Sequence, residues 1–466
     1  MYRTDPIKSN SLNFATFGFC IDRTAIRPYL CRSRFGCHWI ALTKHTLRKT
    51  DMAKEWSGRH LIYGSAGMAA SGMMQSQENS EVDEGDSPAL QIAPRDASGA
   101  GGLKAAIVGE TGGGNYGHGL DRIFNDIAGV NVIAVVDPDE KGREAVRDKT
   151  KAEHAYAEFE DMLAQENPDL VSIGSQWTNQ HFEASKAALM SGAHIFVEAP
   201  FTQTLAEADE LLAIADQRDL KIGVAHQMSC DPHILRFKDM AHRQIGELVE
   251  MRVFGKMDEH AGGEDSLVFG SHLFDLVRLF AGEVESCSAR IRSEGRPVKF
   301  GDIHESRDGN LGLLLGDDIY AHLALDSGVN VTFQSSKKMR EMAGPWGIEF
   351  VGTKSKARLF ADQPPTFSVQ RAPDFRAVER EDVWKQWPEE EPYHNEVDGL
   401  SGLAAANRLV VKNWLSAIAN NKEPRSSGYR AMKSLEIIHG IWTAGLTGQR
   451  VQFPLIDREH PLEPTA

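Results

Sequence analysis

The stretch from Leu103 to Asp139 constrains this chain more than any other. It reads "LKAAIVG", then the glycine-rich "ETGGGNYGHG", then "LDRIFNDIAG", then "VNVIAVVDPD". An apolar run ending in glycine is a buried strand, and the second run is another, ending at Asp137. The apolar spacing between them predicts a helix closing at Gly129. Strand, glycine loop, helix, strand and terminal acid, in that order, form the context of a dinucleotide fingerprint. Glycines let the backbone approach a pyrophosphate, whose charge suits the free N–H groups of a helix N-terminus. An acid closing the second strand can accept the ribose hydroxyls. Gly109, Gly112, Gly114 and Gly117 are the candidate loop glycines, and the spacing does not settle which three play the three roles. Asp137 favours NAD by repelling a 2′-phosphate, while Lys141 and Arg143 downstream keep NADP open.

The alternation continues to residue 228. "DLVSIGS" (169–175), "HIFVEAP" (194–200) and "LKIGVAHQM" (220–228) read as strands, separated by helical stretches at 179–192 and 205–219. Repeated strand–helix units predict a doubly wound parallel sheet that binds its ligand at the strands' C-terminal ends. Trp177, His181, Glu198 and Gln227 all fall at or just past such ends. Trp177 is a candidate cover for a nicotinamide ring, a wall of a sugar pocket, or a plug at the domain junction. His181 suits orienting a loop, and Glu198 suits contact with a ribose.

Beyond "DPHILRFKDMAHRQIGE" (231–247) the pattern changes to strand-like segments joined by short turns, which predicts a mostly antiparallel open sheet in an α+β domain. One helix interrupts it, "EDSLVFGSHLFDLVRLFAG", with Asp265 or Ser266 as its cap and Gly282 as its stop. His272 and Asp275, three residues apart, share a face of that helix. Two helical stretches follow, at about 402–422 and 427–446. The expected organisation is an N-terminal extension and linker (1–102), a Rossmann domain (103–230), a substrate and oligomerisation domain (231–456) and a short tail (457–466).

From Leu103 to about residue 456 the chain resembles the Gfo/Idh/MocA oxidoreductases, the family of glucose–fructose oxidoreductase and inositol dehydrogenase. "QWTNQH" (176–181) stands where the family has Thr-Pro-x-x-x-His, "VEAP" where it has Glu-Lys-Pro, and "VAHQMSCDP" (224–232) where it has Gly-x-Asn-x-x-x-x-Pro. "GGEDSLVFGSHLFD" (262–275) matches its Gly-x-His-x-x-Asp segment. The resemblance implies hydride transfer between NAD(P) and a secondary alcohol of a sugar or cyclitol, the proton being handled by the lysine and by His272. Asp275 is then the group to orient the His272 ring, Pro200 follows a cis peptide, and Gln227 faces substrate. Three positions depart from the pattern: Ala199 for lysine, Trp177 for proline and Gln227 for asparagine. Lys256, Arg252, His260 and His226 are candidates to replace the lysine, Lys256 first among them. Two other readings stay open: an NAD-requiring glycoside hydrolase of the same fold, and a nucleotide-binding sensor or scaffold without turnover, which Ala199 invites. Relatives associate through the second-domain sheet, implying a homodimer or homotetramer.

The net charge of −15 argues against nucleic-acid binding over a broad surface. That charge is uneven, with eleven Lys/Arg against four Asp/Glu in residues 1–60. Five cysteines in 466 residues do not build a disulfide framework. No metal site is expected; Glu264, Asp265, His260 and His272 have suitable ligand types but are spread over two helical turns. No stretch is suited to spanning a membrane, and the expected compartment is the cytoplasm. The alternative is export through a degenerate twin-arginine-like stretch after Met52, where Gly58-Arg59 replaces the arginine pair.

Overall fold

The computed structural model describes residues 102–306, 311–370, 384–388 and 396–463. The twin-arginine-like stretch and the linker expected before Leu103 fall outside them. The first domain is a six-stranded sheet of β1 (Leu103–Val108), β2 (Val130–Val136), β3 (His154–Tyr156), β4 (Leu170–Ile173), β5 (His194–Val197) and β6 (Ile222–Val224), in the order β3-β2-β1-β4-β5-β6. All neighbours run parallel. Strands β4, β5 and β6 are buried along their whole length, as a sheet covered on both faces requires. Helices α1 (Glu140–Thr150), α2 (Phe159–Glu166), α3 (His181–Ser191) and α4 (Leu205–Arg218) make the crossovers. A capping box of Thr204 and Glu207 fixes the start of α4.

One expected element does not form. Where the sequence predicted a helix up to Gly129, the chain makes a single 3₁₀ turn, Leu120–Arg122, and irregular turns around it. Glycines at 117 and 119 take positive φ, and Asp126 adopts the left-handed conformation at φ 57°. Asn125-Asp126 therefore breaks a segment already short for a stable helix.

After α5 (Pro232–Ile245), the second domain is built on a ten-stranded sheet. Its centre joins β7 (Leu248–Phe254) to strand Asn330–Ser336 in parallel, and to Gly347–Gly352 antiparallel. The other pairings in this sheet are antiparallel, including β8 (Val284–Ser293) with Asp318–Leu325. Helix α6 (Gly263–Ala281) lies against this sheet, and α8 (Gly428–Thr447) packs on α6 and β8. Helix α6 begins at Gly263 and has no side-chain cap. Asp265, expected as the cap, instead accepts from the Lys256 and Met257 amides and the Ser335 hydroxyl, and Gly282 ends the helix as expected. Helix α7 (Gly402–Ala419) returns to the first domain, where Trp414 packs against Phe124 and Phe196. Residues set aside as a tail dock as well: Arg458 binds Asp209 and Glu436, and Leu462 is buried.

Candidate active site

The order of the first sheet reverses between β1 and β4, which opens a crevice at their C-terminal ends. A cavity of about 310 Å³ lies there, walled by Val108, Gly109, Pro138, Phe159, Ile173 and Ser175 among others. Its largely apolar walls at the switch point suit the adenosine end of a dinucleotide. The glycine loop is seated across this crevice. Gly114 accepts from the Gln176 amide at 3.0 Å, and a Cβ at Gly114 would lie 2.3 Å from the Ser175 hydroxyl. At φ +86° this position requires glycine on both counts. Gly109 is equally tight against Tyr116, whereas Gly112, also at positive φ, has open space around it.

Asp137 ends β2 as expected and is fully buried, but its carboxylate is already engaged. It accepts from the Thr111 hydroxyl at 2.6 Å, the Tyr116 hydroxyl at 2.8 Å, the Asp139 amide at 3.0 Å and the Thr111 amide at 3.1 Å. Asp137 therefore pins the glycine loop in this state, and a ribose would have to displace a hydroxyl to reach it. Arg143, which kept a 2′-phosphate in view, spends its guanidinium on the carbonyl of Asp137 at 2.6 Å. Glu110, Glu158, Glu160 and Glu183 add acidic walls to the cavity. The crevice, the glycine seat and these acids together fit NAD better than NADP.

Further along the strand ends, His181 is buried and its ring bridges two backbone carbonyls, Ser175 at 2.7 Å and Phe201 at 3.1 Å. It fixes the loop that carries Trp177, which is partly buried on that turn. The peptide between Ala199 and Pro200 is cis. Beside it Glu198 is buried, its Oε1 bonded to Nδ1 of His118 and its Oε2 without a partner. The Gln227 amide donates to Asn407 at 2.8 Å, and Asn407 donates to the His118 carbonyl at 2.9 Å. Gln227 is thus committed to holding α7 against the glycine loop.

From the second domain α6 brings His272 to the same place. Its ring lies 4.9 Å from that of His226 and 5.8 Å from Trp346, between centroids, and its Nδ1 is buried without a partner. Burial drives His226 down to about 3, and burial with the His226 and His118 rings holds His272 well below the ordinary imidazole value. Both rings are neutral at neutral pH. Asp275 does not orient His272: it is buried and bonded to Arg430 at 2.9 Å, so the shared helix face gave proximity but not a hydrogen bond.

The expected replacements for the lysine are mostly committed elsewhere. Arg252 binds Glu250 and Glu349 on the sheet, and His260 is beside Asp258. Lys256 is exposed, 3.5 Å from Asp258 and above the Phe269 ring, which in turn meets Trp346. Among the described residues the ligand types that converge for a metal are Asp258, Glu259 and His260, without His272. His118, absent from the sequence candidates, is the residue that the fold adds to the site. The Gly-His-Gly triplet inside the loop was its only signal.

Two family models cover most of the chain: the Gfo/Idh/MocA oxidoreductase family's NAD-binding Rossmann fold over residues 103–226, and that family's C-terminal alpha/beta domain over 248–453. The chain belongs to the Gfo/Idh/MocA family. It is an NAD-binding oxidoreductase, a dehydrogenase by family. D-apiose dehydrogenase of Paraburkholderia graminis is 22% identical over 381 residues, covering 77% of this chain and 92% of the relative. A glycosyl hydrolase family 109 protein of Shewanella amazonensis is 31% identical, over 23% of this chain and 26% of its own length. Among solved Gfo/Idh/MocA-like folds, levoglucosan dehydrogenase in complex with NADH and levoglucosan superposes with a TM-score of 0.59 at 15% identity, covering 76% of this chain and all (100%) of that one. An Agrobacterium radiobacter oxidoreductase in complex with NAD+, L-tartaric acid and magnesium gives 0.58 at 18% identity, covering 75% and 98%. None of the described helices is long and apolar enough to cross a membrane.

Proposed function

We propose that this Gfo/Idh/MocA member transfers hydride between NAD(H) and a secondary alcohol of a sugar or cyclitol. The observation that carries the reading is the convergence of His118, Glu198, His226 and His272 beside the strand ends of an NAD-binding fold. Bound there, the nicotinamide supplies the hydride acceptor. Gly109, Gly114 and Gly117 would let the backbone approach the cofactor, with Asp137 governing the loop and Trp177 and Pro200 shaping its nicotinamide side. His272 presents a neutral imidazole to the reacting hydroxyl. Lys256, on the far side of Phe269 and Trp346, is placed to steer substrate rather than to react. The polyol relatives, one named for D-apiose and one for levoglucosan, support a sugar-like substrate.

The test is a screen of sugars, sugar acids and cyclitols for NADH formation, preceded by NADH and NADPH titrations. NADH binding with turnover of one such alcohol is expected. Absence of hydride exchange with every alcohol would sink the reading. The glycosyl hydrolase relative supports a second reading over the Rossmann portion alone, and NAD-dependent cleavage of aryl glycosides would select it. Association through the second-domain sheet as a homodimer or homotetramer belongs to the same proposal, as does a cytoplasmic location. A monomer by light scattering at micromolar concentration would remove the first, and recovery from the exported fraction the second.

A further inference from the structure

Oxidation of a secondary alcohol releases two things: a C–H electron pair that leaves as hydride, and the hydroxyl proton. Ala199 offers nothing to take that proton, and His272 and His226 are both held neutral with values far from neutral pH, a poor match for proton exchange. Lys256 is engaged with Asp258.

We propose that His118, held by Glu198, is the catalytic proton acceptor of this site and occupies the role that Ala199 leaves empty. This rests on the oxidoreductase reading above. Glycine at 117 is what allows the pairing, because a Cβ there would lie 2.9 Å from the Glu198 carboxyl carbon. The loop therefore passes directly over Glu198, and the next side chain, His118, turns its Nδ1 onto that carboxylate. The backbone is fixed from the other side by Asn407, itself held by Gln227. Nε2 of His118 has no partner among the described residues, and the side chain is 55% exposed. Glu198 is 3% exposed at its side chain, and its second oxygen is unpartnered. An interior carboxylate with a single imidazole partner is a device for holding a charge on that imidazole.

The step balances simply. The carbinol C–H pair reduces NAD+ to NADH, the C–O bond becomes a carbonyl, and the hydroxyl proton passes to Nε2 of His118, where the imidazolium is neutralised by Glu198. The proton then leaves through the cavity of about 490 Å³ that His118 itself lines, between the 117–126 turn and α7. The reverse reaction uses the same proton in the other direction. Glu198 raises His118 above the ordinary imidazole value, so the neutral ring is a stronger base than a free histidine and the imidazolium formed in the step is stabilised where it forms. The other charged or titratable groups around it are His272 from α6, Arg408 from α7, and Arg122 and Asp126 from its own turn. Glu198 is the group in direct contact.

The experiment uses the whole protein. On an alcohol that wild type oxidises, His118→Ala and His118→Gln should lower kcat by about 10²- to 10⁴-fold with NADH affinity retained and the ionisation in the pH–kcat profile lost. Glu198→Gln should keep that ionisation but move it to lower pH. Introducing Ala199→Lys into the His118→Ala protein should restore part of kcat. Independently of any substrate, the His118 imidazole resonance should titrate above an ordinary histidine, fall in Glu198→Gln, and shift on adding NADH. Full kcat in both His118 variants, or a His118 resonance indifferent to NADH and to Glu198→Gln, would overturn the assignment. If wild type turns over no alcohol but the resonance behaves as described, the oxidoreductase reading fails while the pairing stands; if neither holds, both fail.

Discussion

The Tyr116 hydroxyl, from within the glycine loop, donates to the Asp137 carboxylate at the end of β2 at 2.8 Å. The acid expected to receive ribose hydroxyls is thus already receiving protein hydroxyls, from Thr111 as well. Cofactor binding and loop anchoring compete for one carboxylate. Tyr116→Phe should therefore tighten NADH binding while lowering thermal stability, since it removes one donor from a buried carboxylate at a cost of roughly 1–3 kcal/mol. Asp137→Ala should lower both, because it strands the Thr111 and Tyr116 donors and removes the ribose acceptor. NADH titration and thermal melts on the two variants check this; equal affinity in Tyr116→Phe and wild type would show that no competition exists.

His272 meets the domain junction with a ring held neutral by burial and by His226. Its contribution to turnover is then one hydrogen bond to the reacting oxygen rather than a charge. His272→Ala should lower kcat/KM by roughly 10- to 100-fold, the worth of a buried hydrogen bond at about 1–3 kcal/mol. NADH affinity should stay as in wild type. A pH–kcat profile unchanged in shape would separate this role from that of His118; steady-state kinetics on an alcohol found in the screen decides it.

Much of this arrangement was legible in the chain. The first domain followed from apolar runs of strand length ending in Gly109, Asp137 and Glu198, because a fully buried parallel strand leaves a continuous hydrophobic signature. His272 was found by its motif. What the sequence hid was long-range. His118 gains meaning only from Glu198, eighty positions away, and Asp275 neighbours His272 along the helix yet belongs to Arg430, 155 positions on. The helix expected before Gly129 was lost for a local reason: apolar spacing persisted, but the left-handed Asp126 outweighed it.

Several histidines are buried neutral, which fixes the sign of the acid response. His226 is lowered to about 3, and His233 and His460 to about 4, in each case first by burial. The unfolded chain takes up these protons near the ordinary value of 6.5, whereas the fold does not until far lower pH. Between about 6.5 and 4 the unfolded state binds more protons, so these groups make stability fall as pH is lowered, and they contribute no slope above that window. Asp265 and Asp275, raised by burial, act in the opposite sense. A difference measurement isolates one histidine: in denaturant titrations wild type should lose more stability than His226→Asn as pH drops from 6.5 to 4, because the variant lacks one proton-linked term. Parallel curves would show that His226 is not held neutral.

The Arg430–Asp275 pair joins the helix carrying His272 to α8. Asp275 is 1% exposed, and Arg430 reaches its carboxylate and its carbonyl together. Removing the cation alone leaves a buried carboxylate with no hydrogen-bonding cation, so Arg430→Met should destabilise the fold by about 3–5 kcal/mol. Arg278, which lies near enough to influence Asp275 but is bonded to Glu283, can offset only part of that. Replacing both partners removes the stranded charge, and Arg430→Met with Asp275→Leu should recover much of the loss. Urea unfolding of the single and double variants measures the difference. Because α6 places His272 through this contact, the single variant should also lose turnover before it loses NADH binding, which depends on the first domain. A single variant as stable as wild type would mean that the pair does not hold α6, and that His272 is positioned by His226 and Trp346 alone.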